Sequence, residues 1–241
     1  MTISVLVPAF NEAGCLGATL TSIRAAMQAF DARGWTTELI VCDNNSTDDT
    51  AAIARAHGAQ VVFEPVNQIS RARNAAAAAA TGAWFVFVDA DSQPSVALFA
   101  DVAEAIATQR YLAGGSTVVM DSGGAIAALG VGVWNVISRV TRWAAGSFIF
   151  VDAAAFRAVG GFSQELYASE EIDLFRRLKR AARRAGRRIV ILNRHPLQTS
   201  GRKLELYSVV EIAGFMLRTV LTGGRTLRRA DSCPVWYDGR R

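Results

Sequence analysis

The sequence predicts an α/β fold, a mostly parallel central sheet flanked by helices, and three observations carry that prediction. Four short apolar runs occur before residue 90, "ISVLVP", "TELIVCD", "QVVFE" and "AWFVFV". Each is separated from the next by a stretch with helical spacing or helix-favouring composition. Acids and amides gather where the runs end, at Pro8 to Glu12, at Asp43 and Asn44, and at Asp89 to Asp91. Strands that are apolar without alternation belong in a parallel sheet covered on both faces. Ligands of such sheets bind beyond the carboxyl ends of the strands, so these three ends are expected to line one crevice.

Taken in order, residues 3 to 8 form the first strand, ending in Pro8. Asn11 is expected to cap a helix in which Leu16, Leu20, Ile23 and Met27 recur, with Gly34 closing it. Residues 37 to 43 make the second strand, and "STDDT" opens an Ala-rich helix with Ser46 or Thr47 as cap. A third strand (60 to 64), a helix (70 to 80) and a fourth strand (83 to 88) follow. Beyond Pro94 the alternation loosens into a helix (95 to 108), a strand (110 to 119) and a Gly-rich apolar segment (122 to 138). Residues 147 to 162 read as a strand, a short helix and a glycine turn, and 169 to 186 as a basic amphipathic helix. A last strand (188 to 192) and an apolar helix (204 to 222) complete the pattern. With no repeats and no linker, one domain is expected over 1–241.

Composition narrows the function. Of 241 residues 51% are apolar and 20% charged, which excludes a disordered chain. Cys15, Cys42 and Cys233 are odd in number and far apart, so they read as thiols of a reducing cytoplasm. The opening "MTISVLVPAF" lacks the basic start of a signal peptide. The segment 122 to 138, with four glycines, falls short of the ~20 apolar residues a membrane span needs. The net charge of +5 is unevenly spread. Residues 1 to 175 hold nine Lys/Arg against 17 Asp/Glu, and residues 176 to 241 hold 17 against four. Such asymmetry points to an anionic partner: phosphates, a nucleic acid or a lipid surface.

The stretch "FVFVDADSQP" concentrates the chemistry. Two carboxylates where a buried strand leaves the core suit a hard dication that completes its shell with phosphate and water. Asp91 would ligate directly, while Asp89 would ligate through water or hold a ribose. The competing reading is an Asp-rich turn in which Asp91 or Ser92 caps the next helix. Glu170 and Glu171 follow Ser169 at a helix start, where acids are also favoured by the helix dipole.

In "VLVPAFNEAGCLGATLTSI", "ELIVCDNNSTDDTAAIA" and "SRARNAAAAAATGAWFVFVDAD" the chain resembles the family 2 glycosyltransferases of GT-A fold. "GGFSQELYASEEIDLFRRL" (160 to 178) resembles that family's Gly-Gly-Phe segment and acidic helix start, and "TSGRK" (199 to 203) a pattern of its small members. The resemblance implies a nucleotide-sugar-binding half (1–94), an acceptor and catalytic half (95–203), and a C-terminal helix with a basic tail (204–241). Pro8, Ala9 and Glu12 would border the base and ribose, Asp43 would accept from the base N–H, and Arg71 would approach base or phosphates. Asp89 and Asp91 would hold a Mn²⁺ or Mg²⁺ diphosphate, with Arg202 and Lys203 clamping the diphosphate and His195 as a further metal ligand. The family's acid pair is Glu-Asp; here it is Glu170-Glu171, which leaves open which of the two is the catalytic base.

The expected reaction is an inverting, metal-dependent transfer from a nucleoside-diphosphate sugar, UDP ahead of GDP, to an acceptor hydroxyl. A polyprenyl-linked acceptor and peripheral contact with the inner face of a membrane are open expectations. They fit the Arg-rich stretch 176 to 188 and Trp134 and Trp143 as interfacial residues. No nucleic-acid partner is expected. Two rivals remain. A sugar-nucleotide pyrophosphorylase needs a Gly-rich, Arg-containing loop where "PAFNEAGCLG" stands, and a non-catalytic anion-binding module leaves the acidic strand ends unexplained. A dinucleotide oxidoreductase lacks its GxGxxG after the first strand.

Overall fold

The computed structural model describes residues 1–122, 124–201 and 225–228. The expected helix at 204 to 222, Cys233, Arg202 and Lys203 lie outside the described residues.

The four apolar runs become four adjacent parallel strands: β1 (Thr2–Ala9), β2 (Thr36–Asp43), β3 (Gln60–Phe63) and β4 (Trp84–Val88). Between them run α1 (Leu16–Asp31), α2 (Thr50–Ala56) and α3 (Ile69–Ala79). The rest comprises β5 (Ser92–Gln93), α4 (Val96–Ala107), β6 (Tyr111–Met120), α5 (Gly124–Thr141), β7 (Phe148–Asp152), α6 (Ala153–Ala158), α7 (Glu170–Arg184), β8 (Arg188–Thr199) and a 3-10 turn, Arg225–Arg228. Among the described residues the strands join one eight-stranded sheet, ordered β3-β2-β1-β4-β7-β6-β8-β5. Only β7 and β5 run against the others.

Because strand side chains alternate, each central strand feeds two cores. Ile3, Val5 and Val7 of β1, with Val86 of β4, face α1 and α4, packing on Leu20, Ile23, Phe30 and Phe99. Leu6, Phe85 and Phe87 face the other way, toward α3, α6 and α7, meeting Ala76, Phe156, Phe162, Phe175 and Leu178. Burial on both sides is why these runs could not alternate.

Several local expectations are corrected. Asn11 does not cap α1, which begins at Leu16; its backbone is left-handed (φ 51°) and its side chain accepts from the Thr47 N–H at 2.7 Å. Neither Ser46 nor Thr47 caps α2, which starts at Thr50; Ser46 Oγ instead accepts from the Asn11 N–H at 2.9 Å. Ser95, not Asp91 or Ser92, caps α4, accepting from the Leu98 N–H at 3.0 Å. The last strand runs to Thr199, so His195 and Pro196 lie within β8 rather than in a loop. The Gly-rich segment is the helix α5. Trp134 packs partly buried on the α1/α4 core and Trp143 on the other, its indole under Arg176 and Lys179.

β6 pairs with β7 only through residues 113–115. Beyond them Asn135 of α5 satisfies Val118, accepting from its N–H at 3.0 Å and donating to its carbonyl at 2.9 Å. Gly114 sits where β6, β7 and β8 meet. A Cβ there would stand 2.5 Å from both the Phe150 ring and the Val190 carbonyl. Gly114→Ala is therefore expected to destabilise the fold by about 1–3 kcal/mol in chemical denaturation. An unchanged midpoint would mean that β6 is not clamped between its neighbours.

Candidate functional site

β1 lies between β2 and β4, so the ends of all three open side by side. In the register, Pro8 stands opposite Cys42 and Ala9 opposite Asp43, while Leu6 stands opposite Phe87. The loops leaving β1 and β2 are sewn together. The Glu12 N–H donates to Thr50 Oγ1 at 2.8 Å and the Ala13 N–H to Asp48 Oδ2 at 3.0 Å. Hydrogen bonds to Asp48 from the Thr50 hydroxyl and from the Ala13 and Thr50 N–H groups outweigh its desolvation and hold its carboxyl below the ordinary range. Asp43 Oδ1 accepts from the Ser46 N–H at 3.0 Å, and Cys15 Sγ donates to Glu12 Oε2 at 2.9 Å. The result is a rim of Pro8, Ala9, Glu12 and Asp43 built on fixed backbone. Burial, with Glu64 and Asp43 nearby, pushes the Cys42 thiol up to about 12, so it is no nucleophile.

The rim continues into the second half of the chain. Asn44 donates to the Glu64 and Val66 carbonyls at 3.1 and 2.6 Å and accepts from the Gln68 N–H at 2.9 Å. Gln68 Nε2 in turn donates to the carbonyls of Gln164 and Leu166 at 2.8 and 3.0 Å. Arg71, one of the expected phosphate or base contacts, donates from Nε to Gln68 Oε1 at 3.1 Å.

The centre of the site is a residue the sequence reading passed over. Arg73 is 1% exposed. It donates to Glu170 Oε1 at 2.6 Å, to Asp89 Oδ1 at 2.9 Å and to the Gly146 carbonyl at 2.8 Å. Its guanidinium lies 5.1 Å from the centre of the Phe162 ring. Burial alone would favour its neutral form, but Asp89 and Glu170 overcome that and hold it charged. The sequence did carry a signal. On α3 the buried face is Ser70, Ala72, Arg73, Ala76 and Ala77, so Arg73 is the arginine on the alanine stripe and Arg71 the one off it. Asn74 locks the same helix to the Gly-Gly-Phe segment, exchanging hydrogen bonds of 2.9 Å with the Phe162 N–H and carbonyl.

Arg73 thus joins the end of β4 to the start of α7. Glu170 is buried behind it, its carboxyl raised by desolvation that the arginine only partly offsets. Glu171 is half-buried and has no salt bridge among the described residues. Desolvation first, then the neighbouring Glu170, pushes its carboxyl up to about 8. Two adjacent glutamates therefore differ in kind, one tied to a guanidinium and one with a raised proton affinity and no ion pair among the described residues. Asp91 lies two residues past Asp89, and its carbonyl accepts from the Ser200 N–H at 3.1 Å. His195 Nδ1 lies 3.0 Å from Asp101 Oδ2 on α4.

Asp89 and Asp91 are oxygen donors of the type that hard dications take. Among the described residues no cluster of three or more His, Cys, Asp or Glu side chains is placed to hold a metal ion by itself. Such a set fits a cation that draws its other ligands from water and a substrate phosphate.

Comparisons with known proteins agree with this geometry. The sequence model of glycosyl transferase family 2 matches residues 4–151. An uncharacterized glycosyltransferase of Mycobacterium tuberculosis, Rv0539, is 42% identical over 89 residues, covering 37% of this chain and 36% of its own. One from Rickettsia prowazekii, RP128, is 38% identical over 96 residues, 38% of this chain and 32% of its own. The matched part thus spans about a third of these relatives' length. Among solved structures, residues 1–349 of Staphylococcus aureus TarS, with UDP-GlcNAc, align at a TM-score of 0.66 and 20% identity, over 84% of this chain and 59% of that one. The mannosyltransferase PcManGT of Pyrobaculum calidifontis, in complex with GDP-Man and Mn²⁺, gives 0.64 and 21%, over 81% and 56%. Glucosyl-3-phosphoglycerate synthase of M. tuberculosis, with Mn²⁺, UDP and phosphoglyceric acid, gives 0.58 and 24%, over 91% and 76%. These neighbours share the GT-A fold. With more than half its length matched by the family's sequence model, the chain belongs to glycosyl transferase family 2.

Proposed function

We propose that this glycosyltransferase moves a sugar from a nucleoside-diphosphate sugar, UDP ahead of GDP, to an acceptor hydroxyl with inversion at the anomeric carbon. The observation that carries the reading is the Arg73 bridge, which sets the Asp89–Asp91 strand end beside Glu171. Residues 1–94 form the donor half and 95–203 the acceptor half. Pro8, Ala9 and Glu12 border the base and ribose, Asp43 accepts from the base N–H, and Arg71 meets base or phosphate. Asp89 and Asp91 hold the diphosphate through Mn²⁺ or Mg²⁺, which would supply positive charge against the departing diphosphate. Arg202 and Lys203, outside the described residues, are assigned to the same diphosphate. His195, its Nδ1 held by Asp101, would offer Nε2 as the further ligand of that metal.

Glu171 is the base in this reading and Glu170 the buried support. An acceptor hydroxyl attacking opposite the leaving group must lose its proton, and Glu171 is the carboxyl in reach of the site without a cationic partner. Glu170, neutralised by Arg73, fixes the helix start that aims Glu171. A lipid-borne acceptor met at the inner face of a membrane belongs to the same proposal; its support is the cationic second half of the chain.

Thermal shift with UDP-, GDP- and dTDP-sugars, with and without Mn²⁺, tests the donor. Metal-dependent stabilisation by one nucleotide, lost in Asp91→Asn, is expected; no response to any would favour the plain anion-binding reading. Glu171→Gln is expected to lower kcat by about 10²–10⁴ without loss of nucleotide binding. The base works only when ionised, so wild-type kcat/KM should rise as pH climbs through about 8. A flat profile there would remove Glu171 from the role. The same shift has a stability sign. A carboxyl raised from 4.5 to about 8 keeps its proton in the folded state, so stability falls as pH rises through that window. Glu171→Gln should therefore gain on wild type in melting temperature between mildly acidic and mildly alkaline pH. Finally, Arg73→Leu strands two carboxylates and should cost about 3–5 kcal/mol in denaturant titration. Arg73→Lys keeps the charge without the fork and should fold better while remaining poorly active.

A further inference from the structure

Among the described residues, helix α5 turns one side to the protein and leaves the other uncovered. Val131, Trp134 and Asn135 face inward, on the core and on Val118. On the opposite side Leu129, Val133, Val136 and Val140 are 70%, 53%, 61% and 78% exposed. Their steps of four, three and four residues make a single apolar ridge along the helix. Soluble surfaces carry scattered apolar side chains, not a continuous ridge of this kind.

The ridge runs into a dense group of cations. Val140 lines a hollow of about 350 Å³ together with Arg142, Lys179, Arg183 and Arg188. A second hollow, of about 270 Å³, shares Arg142 and Arg188 and adds Arg139. Lys179 donates to the Thr141 carbonyl and so holds the end of α5 against α7. Arg139, Arg142, Arg183 and Arg188 are exposed and pair with no acid among the described residues, and residues 124 to 142 contain none. Burial first, then Arg142, Arg183 and Arg176, makes it harder for Lys179 to stay charged. Cations crowded without a counter-ion fit a surface that supplies negative charge from outside.

We propose that this face of α5, with the arginines around its C-terminal end, docks the protein in the plane of an anionic lipid bilayer. The apolar ridge enters the acyl boundary while Arg139, Arg142, Arg183 and Arg188 meet headgroup phosphates. No helix among the described residues is long and apolar enough to cross a membrane, so the contact is peripheral. Charge complementarity selects this occupant over a second copy of the chain, which would set the same cations against each other. The N-terminal end of α5 adjoins the crevice loops, at the far end of the helix from the arginines. The Gly201 N–H donates to Asp121 Oδ1, just before α5, and the adjacent Ser200 N–H to the Asp91 carbonyl, at 2.9 and 3.1 Å. This inference deepens the membrane contact in the proposed function and rests on none of its transfer chemistry.

Flotation of the full chain with phosphatidylcholine vesicles, with or without phosphatidylglycerol, tests it. Binding is expected only with phosphatidylglycerol and should fall with salt. Removing charge in Arg142→Gln/Arg188→Gln should weaken it roughly fivefold per arginine. Val136→Ser/Val140→Ser, at exposed positions that leave folding intact, should weaken it on the order of tenfold. Equal binding to neutral vesicles, or full binding by the valine pair, overturns the proposal. So does a wild-type dimer that ignores vesicles and is broken by the valine pair, which assigns the ridge to a second copy. Competition by inorganic phosphate that abolishes vesicle binding, with the valine pair unaffected, would reduce the face to a phosphate site and overturn it too. The nucleotide thermal shift is independent of all these outcomes, so failure here and failure of the donor reading are told apart.

Discussion

A guanidinium removed from water survives only if its charge is met on more than one side, and Arg73 is met on three. The desolvation of an ion costs several kcal/mol, and Asp89, Glu170 and the Gly146 carbonyl are what repay it. That requirement constrains everything near it. Asp89 comes from the end of β4, Glu170 from the start of α7 and Gly146 from the turn into β7. None of the three can drift without leaving a buried charge unmet. The packing of Phe162 on the guanidinium and the Asn74 clamp on its backbone close the remaining side. A single ion network therefore ties the end of β4 to the start of α7.

The same network explains why two consecutive glutamates behave differently. Arg73 takes Glu170, whose charge beside Glu171 raises the second carboxyl's proton affinity while the guanidinium itself lowers it. Desolvation remains the larger effect. Helix dipole and sequence position are almost the same for both residues; the side that each turns to Arg73 is not. An acid pair at a helix start is thereby split into one ion-paired carboxyl and one raised in its proton affinity.

The two halves of the chain answer to different physics. The first half is a parallel sheet whose loops are fixed by local hydrogen bonds, such as those of Asn11, Asp43 and Asn44. In the second half, α5 covers the open edge of β6 through Asn135 and still shows an apolar ridge outward. Its cations sit at the opposite end of the helix from Asp121 and the crevice loops.

Much of this was legible beforehand. The four buried runs, their parallel pairing and the meeting of three acidic strand ends follow from hydrophobic patterning, because strands buried on both faces cannot alternate. The GT-A fold and the family likewise followed from three short stretches. The helix caps were misjudged at Asn11, Ser46 and Thr47 because those side chains serve one another across two loops, and spacing along the chain does not report contacts between residues 35 apart. Arg73 was hidden for the same reason: its alanine stripe is visible on α3, but its partners are 16 and 97 residues away. The amino-acid order determined which residue types stand at the strand ends and which helix faces are apolar. Tertiary structure alone decided which charges share a low-dielectric space, since an ion's energy depends on its neighbours in three dimensions and on water's exclusion from them.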